Sequence, residues 1–171
     1  PIATEAINEA LPASREAVHA KAASGKFKKG ATLLFRDTGE EVVTDFQELV
    51  FTRVGGLTFQ FKAGDFFQNN PFILEDFTNY AVQEAAAGGA RFLIDAYCGG
   101  GLFTLFGSQH FDQCAGVEIN EYAILLAKAN ADANRIANCN FLQSSAEAIF
   151  DNVEFPREQT AVLLDPPRKG C

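Results

Sequence analysis

The chain has no methionine and no tryptophan, only two histidines and four cysteines, and no run of 18 apolar residues. Each scarcity excludes something. Without a long apolar run, no transmembrane helix is expected. Without a charged, apolar, small-residue leader, no secretory signal is expected. Cys98, Cys114, Cys139 and Cys171 are widely spaced with no C-x-x-C, and His19 and His110 stand alone, so no metal site is expected. Free cysteines in apolar surroundings fit a reducing interior, cytoplasm or nucleus. The chain starts at Pro1 and stops at Cys171 just after a Pro-Pro turn, which reads as a piece of a longer protein.

What is present suffices for a core. Of 171 residues, 47% are hydrophobic and 21% charged, which excludes disorder, collagen and a coiled coil. A domain of this size buries roughly 70% of the surface its unfolded chain exposes. The net charge of −8 is uneven: residues 1–36 carry +3 and residues 37–171 carry −11. An acidic body argues against charge-driven, sequence-blind nucleic-acid binding. A basic stretch survives at Lys21, Lys26, Lys28 and Lys29, near Arg36. Four lysines alone favour a solvated helix end and loop over a phosphate-contacting edge.

Periodicity divides the chain near residues 63–72. Before that boundary, Thr4–Ser24 reads as an alanine-rich helix interrupted at Pro12, Gly25–Gly30 as a loop, Ala31–Arg36 as a strand and Asp37–Asp45 as a polar connection. Gln47–Arg53 and Leu57–Lys62 alternate, and Gly55-Gly56 between them signals a hairpin. After the boundary, Leu74, Phe77, Ala81 and Ala85 mark an amphipathic helix ended by Gly88-Gly89. Apolar runs at 91–97, 113–119, 140–143 and 160–164 then alternate with helical segments. Asn120 is a good N-cap for a helix reaching about Asn138, and Ala146–Phe150 reads as a short helix. Four rounds of strand–helix alternation imply an α/β fold, a parallel sheet with helices on both faces.

Four motifs carry chemistry. Asp95-Ala-Tyr97-Cys-Gly99-Gly-Gly101 closes a strand and opens a helix, and Gly99 and Gly101 let backbone approach a nucleotide-type ligand. Thr104 stands where a dinucleotide fingerprint has its third Gly or Ala, which weakens a nicotinamide reading. Glu118 ends the next strand, where a carboxylate accepts hydrogen bonds from two ribose hydroxyls, or merely complements a helix dipole. Asp165-Pro-Pro-Arg168 ends the fourth run, and its prolines hold the turn at the carboxyl edge where such sheets bind ligands. Residues 64–71, Gly-Asp-Phe-Phe-Gln68-Asn-Asn-Pro, set two aromatics before three amides. These amides suit either a polar ligand or Asx turns.

In this order the four motifs resemble the RNA 5-methyluridine methyltransferases, in the tRNA (uracil-5-)-methyltransferase branch, with the fungal form nearest. Residues 64–70 resemble its F-x-Q-x-N motif, residues 93–103 its S-adenosylmethionine motif, and Gly116-Val-Glu-Ile-Asn and Asp165-Pro-Pro-Arg-Lys-Gly complete the set. The resemblance implies a Rossmann-like S-adenosylmethionine-dependent methyltransferase fold, of which residues 63–171 form the first four strands, the N-terminal half of the catalytic domain. A small α+β segment, residues 1–62, would belong to a central RNA-binding subdomain. It implies cofactor contacts at Gln68, Tyr97, Glu118 and Asp165, beside the turn of Gly99 and Gly101, and tRNA as partner. Leu102 departs from members with Asn there, so that side-chain contact is not expected.

The implied chemistry is methylation of uridine C5 in the tRNA T-loop. Uracil C5 is a poor nucleophile until a thiolate adds to C6, and a base must later remove the C5 proton. The family's Cys and Glu for these steps lie beyond Cys171, so no catalytic residue is expected in this chain and the fragment itself should be inactive. Cys171 and Cys98 are expected to be bystanders. Two competing readings are a nicotinamide-dependent Rossmann oxidoreductase and a non-catalytic RNA-folding module.

Overall fold

The computed structural model describes residues 3–25, 32–68 and 70–167. The chain forms two compact units: Pro1–Val50 with Lys62–Asp65, and Phe51–Phe61 with Phe66–Cys171. This division differs from one at 62/63, because residues 51–61 group with the second unit, where Phe59 lies beside Phe106 and Gln60 bonds to Asn130. No described helix is long and apolar enough to cross a membrane.

In the first unit, α1 (Glu5–Ala23) starts at Thr4, whose hydroxyl accepts from the Ile7 N–H at 3.4 Å. The helix continues through Pro12 instead of breaking there. Proline removes one helical hydrogen bond, and α1 buries no residue, so packing adds no further constraint on its backbone. The strand expected at 31–36 is reduced to β1 (Arg36–Asp37), which pairs antiparallel with β2 (Val42–Val43) inside the stretch read as a polar connection. Turn chemistry makes that pairing. The Asp37 carboxylate accepts from the Gly39 N–H at 2.8 Å, and the Thr38 hydroxyl accepts from the Glu41 N–H at 3.1 Å. Arg36 donates to the Ala63 carbonyl at 3.2 Å and the Asp65 carbonyl at 3.1 Å, so its guanidinium braces the unit. Lys26, Lys28 and Lys29 lie outside the described residues.

β3 (Leu49–Val54) and β4 (Leu57–Lys62) form the expected hairpin. Gly55 and Gly56 both have positive φ, 55° and 84°, as a two-residue type I′ turn requires. Phe59 is wholly buried, worth about 2–3 kcal/mol of apolar burial.

The second unit continues with α2 (Leu74–Ala86), β5 (Phe92–Ala96), α3 (Leu102–Gly107), β6 (Gln113–Glu118), α4 (Glu121–Ala133), β7 (Cys139–Gln143), α5 (Ile149–Asn152) and β8 (Thr160–Leu164). The four strands form one parallel sheet in the order β7-β6-β5-β8. The buried stripe of α2 runs through Leu74, Thr78 and Val82, and Phe77 is left 44% exposed with its edge on Phe103. The Thr78 hydroxyl donates to the Leu74 carbonyl, which lets a polar residue occupy that stripe.

Asn120 caps α4 as expected, accepting from the Tyr122 and Ala123 N–H groups. The helix stops at Ala133, five residues short of the expected end. Asn134 bonds to β4 instead, and Arg135 takes φ 57°, a left-handed helix ending.

Helices cover the sheet unequally. The connections β5–α3–β6 and β6–α4–β7 step in one direction, so right-handed crossovers put both helices on one face. The β7-to-β8 connection steps back across the sheet and places only α5 and its flanking turns on the other. The first face carries Leu93 and Cys114 against α2, α3 and α4, and the second carries Ile94, Ala96, Ala115 and Val117 against Ile149 and Val153.

Candidate cofactor site

The sheet register assembles the site. The last row shared by β6, β5 and β8 is Val117–Ala96–Leu164. One residue beyond it, side by side at the carboxyl edge, come Glu118, Tyr97 and Asp165. The strand order reverses direction at β5, between β6 and β8, which is the switch point where open α/β sheets bind ligands. Three of the sequence-predicted residues are therefore neighbours because their strands are in register.

Gln68 reaches the same edge. Its side-chain amide donates to Asp165 Oδ2 at 3.0 Å across 97 positions of sequence. The preceding Phe67 fixes the loop by stacking on Phe61 at a centroid distance of 4.3 Å and tilting against Phe59 at 6.0 Å. Phe66 points outward at 77% exposure. Asn70 accepts from the Phe72 N–H at 3.1 Å, an Asx turn, while Asn69 lies outside the described residues. Of the loop's described amides, Gln68 and Asn70, Gln68 is the one joined to another motif.

The glycine turn is shaped by both conformation and space. Tyr97 has φ 65°, an uncommon state for a side-chain-bearing residue, and Gly101 has φ 88°. A Cβ at Gly101 would meet Phe141 at 3.0 Å and Ala127 at 3.3 Å. At Gly99 a Cβ would meet nothing within 4 Å, so this part of the turn borders open space. The Gly99 N–H donates to Glu118 Oε2 at 3.2 Å, and the Asn120 N–H donates to Oε1 at 2.9 Å. Each carboxylate oxygen retains a lone pair, so two bonds fix the group in place while it can still accept a diol.

Beneath the turn lies Asp95, fully buried. Oδ2 accepts from the Thr104 N–H at 2.9 Å and the Thr104 hydroxyl at 2.6 Å, while Oδ1 is buried without a hydrogen-bond partner. Burial, then the nearby Asp165 and Glu118, push its carboxyl up to about 7 against the opposing Thr104 bonds. Thr104 thus ties α3 to β5, which explains why this turn departs from the dinucleotide fingerprint. Leu102 opens α3 and is buried in the core, which is consistent with its departure from the motif.

The thiols are paired in a way their sequence spacing concealed. Cys114 and Cys139 stand opposite each other in register on β6 and β7. The hydrogen bond to Cys139 and burial push the Cys114 thiol up, and burial does the same to Cys98. Both are poor nucleophiles as a result. Cys171 lies outside the described residues.

Asn130 was not anticipated from the sequence. It is 1% exposed on α4 and bonds both β4 and the Gly100 carbonyl. The only trace of it was a pair of asparagines four apart on an otherwise apolar helix face.

A family model described as tRNA (Uracil-5-)-methyltransferase matches residues 15–171. The chain belongs to this family. A Schizosaccharomyces pombe relative, named tRNA (uracil(54)-C(5))-methyltransferase, is 42% identical over 100% of this chain and 34% of its own length. A Saccharomyces cerevisiae relative of the same name is 45% identical over 75% of the chain and 21% of its own length. The chain thus spans about a third or less of these relatives. The Pyrococcus abyssi tRNA (uracil-54, C5)-methyltransferase, solved in complex with S-adenosyl-L-homocysteine, superposes with TM-score 0.59 at 23% identity over 76% of this chain and 31% of its own. The fold is therefore the Rossmann-like fold of the S-adenosylmethionine-dependent methyltransferases.

Proposed function

We propose that this chain is the cofactor-binding part of an S-adenosylmethionine-dependent enzyme that methylates uridine C5 in the T-loop of tRNA, a reading supported by two fungal relatives named tRNA (uracil(54)-C(5))-methyltransferase. The observation that carries the reading is the convergence of Gln68, Tyr97, Glu118 and Asp165 on one sheet edge beside a turn open at Gly99. The donor set fits the cofactor. Glu118 accepts the ribose hydroxyls, and its two backbone bonds spare it any reorganisation on binding. Asp165 and Gln68 act as a joined pair that orients the cofactor's polar end. Tyr97 and the bare backbone at Gly99 bound the space between them. When bound, the cofactor supplies an electrophilic methyl group on sulfur.

The attack on uracil C6 and the removal of the C5 proton need a thiolate and a base. Their raised pKa makes Cys98 and Cys114 poor candidates for the thiolate, and the family resemblance places both the thiolate and the base outside residues 1–171. The partner of that protein is tRNA, and the free thiols fit a reducing compartment.

The test is calorimetric titration of S-adenosylmethionine into the chain, with NAD as control and Glu118→Ala as a second protein. Saturable binding of the first ligand, lost in the variant, is expected. Binding of NAD in its place would overturn the reading in favour of an oxidoreductase.

A further inference from the structure

We propose that Asn130 is a positioning residue that fixes the glycine turn and thereby sets affinity for the adenosyl cofactor, a role that rests on the cofactor reading above. Asparagine is a poor interior helix residue, and a buried one must satisfy its whole carboxamide. Asn130 does so. Oδ1 accepts from the Gln60 N–H at 2.8 Å, and Nδ2 donates to the Gln60 carbonyl at 3.2 Å and the Gly100 carbonyl at 3.0 Å. Asn134, one turn on, repeats the first half of this pattern. It accepts from the Thr58 N–H at 2.8 Å and donates to the Thr58 carbonyl at 2.7 Å.

The spacing explains the pair. Four helical residues rise about 6 Å, close to the roughly 6.8 Å between alternate residues of a strand. Two carboxamides, one on the last turn of α4 and one at its C-cap, can therefore imitate a neighbouring strand along β4, which pairs only with β3 among the described strands. Asn134, at the C-cap, completes its set with the Asn130 carbonyl one turn back, at 2.7 Å. Asn130 alone of the two spends its remaining donor on the turn.

That bond acts on one peptide plane. The Gly100 carbonyl is held by Asn130, and the Gly101 N–H of the same plane donates to the Cys98 carbonyl at 2.8 Å. A plane between two glycines meets little steric resistance to flipping, so hydrogen bonds must fix it. The plane lies two peptide units after that of the Gly99 N–H, which is bonded to Glu118. Freeing it would release the backbone on which the proposed ribose acceptor rests.

The experiment compares Asn130→Ala with Asn134→Ala in the 171-residue chain. Two quantities are read: amide hydrogen exchange at Gly101, and the dissociation constant for S-adenosylhomocysteine. Both variants lose two bonds to β4, so both should loosen the hairpin. Asn130→Ala should also speed Gly101 exchange and weaken ligand binding by about tenfold, the scale of one lost hydrogen bond. Asn134→Ala should leave both within about twofold. Equal effects in the two variants, or unchanged Gly101 exchange in Asn130→Ala, would overturn the proposal. If Asn130→Ala does not fold, Asn130→Asp carries the test. It keeps the acceptor for Gln60, sets an oxygen against the Gly100 carbonyl, and is expected to show the same exchange signature. Failure of the wild-type chain to bind S-adenosylhomocysteine would strike the cofactor reading and the affinity claim together, while the exchange comparison would still decide whether Asn130 holds the turn.

Discussion

Replacing Asp95 with asparagine should flatten the pH dependence of stability between pH 5 and 8. Asp95 is fully buried, Oδ1 has no hydrogen-bond partner, and Thr104 supplies both donors to Oδ2. The charged and titratable groups acting on it or acted on by it are Asp165, Glu118, Cys98 and Cys114. The two carboxylates oppose its ionisation, and no cation among the described residues offsets them. Unfolded, this carboxyl titrates near 3.8; folded, at about 7. Between those values the unfolded chain has lost the proton and the folded chain has kept it. The folded state then binds more protons, so stability falls as pH rises and levels off above about 7. A gap of about three pK units corresponds to about 4 kcal/mol, of which about 2–3 kcal/mol is lost between pH 5 and 8. Domains are stable by only about 5–15 kcal/mol, so the slope is measurable. The substituted carboxamide cannot ionise, and its carbonyl can accept from Thr104 as Oδ2 does. Urea unfolding followed by circular dichroism at both pH values gives the comparison. The Asp95→Asn variant should gain about 2–3 kcal/mol on the wild type from pH 5 to 8, and a difference that does not change with pH would refute the reasoning.

Three further outcomes are expected. Gly116→Ala places a Cβ 2.7 Å from Phe141, 2.8 Å from the Thr104 hydroxyl and 2.9 Å from Cys98 Sγ, and should lower stability by about 1–3 kcal/mol in denaturant titration. Asn120→Ala removes the acceptor for Tyr122 and Ala123 at the start of α4, costing about 1 kcal/mol in the same assay. Cys98 and Cys114, buried with raised thiols, should react with N-ethylmaleimide only at the rate of unfolding, as mass spectrometry of the native chain would show.

Much of the fold is legible in the sequence because local signals agree with tertiary packing. Gly55-Gly56 demands a turn that only glycine enters easily, and Asn120 caps the helix its position announces. The run at 160–164 is β8 residue for residue. Sequence and structure part where long-range bonds or turn chemistry decide. Periodicity makes α4 too long because Asn134 looks like one more helical residue until β4 lies beside it. It also runs the buried face of α2 through Phe77, although Thr78 occupies that stripe by bonding its own helix. The β1–β2 pair escapes detection because two-residue strands have no period.

The candidate site divides along the same line. Sequence alone determined which residues stand at strand ends and which turn must be glycine, because backbone conformation and hydrophobic period are local properties. The family resemblance of its motifs added Gln68, Tyr97, Glu118 and Asp165 as expected contacts. Only the tertiary structure decided that Glu118, Tyr97 and Asp165 each follow the last shared row of the sheet, since parallel register links residues far apart in sequence. Only it showed Gln68 joined to Asp165, Cys114 facing Cys139, and Asn130 bonded to the Gly100 carbonyl. A side-chain carboxamide or carboxylate has no intrinsic partner, and what it bonds is settled by the elements that packing brings within about 3 Å.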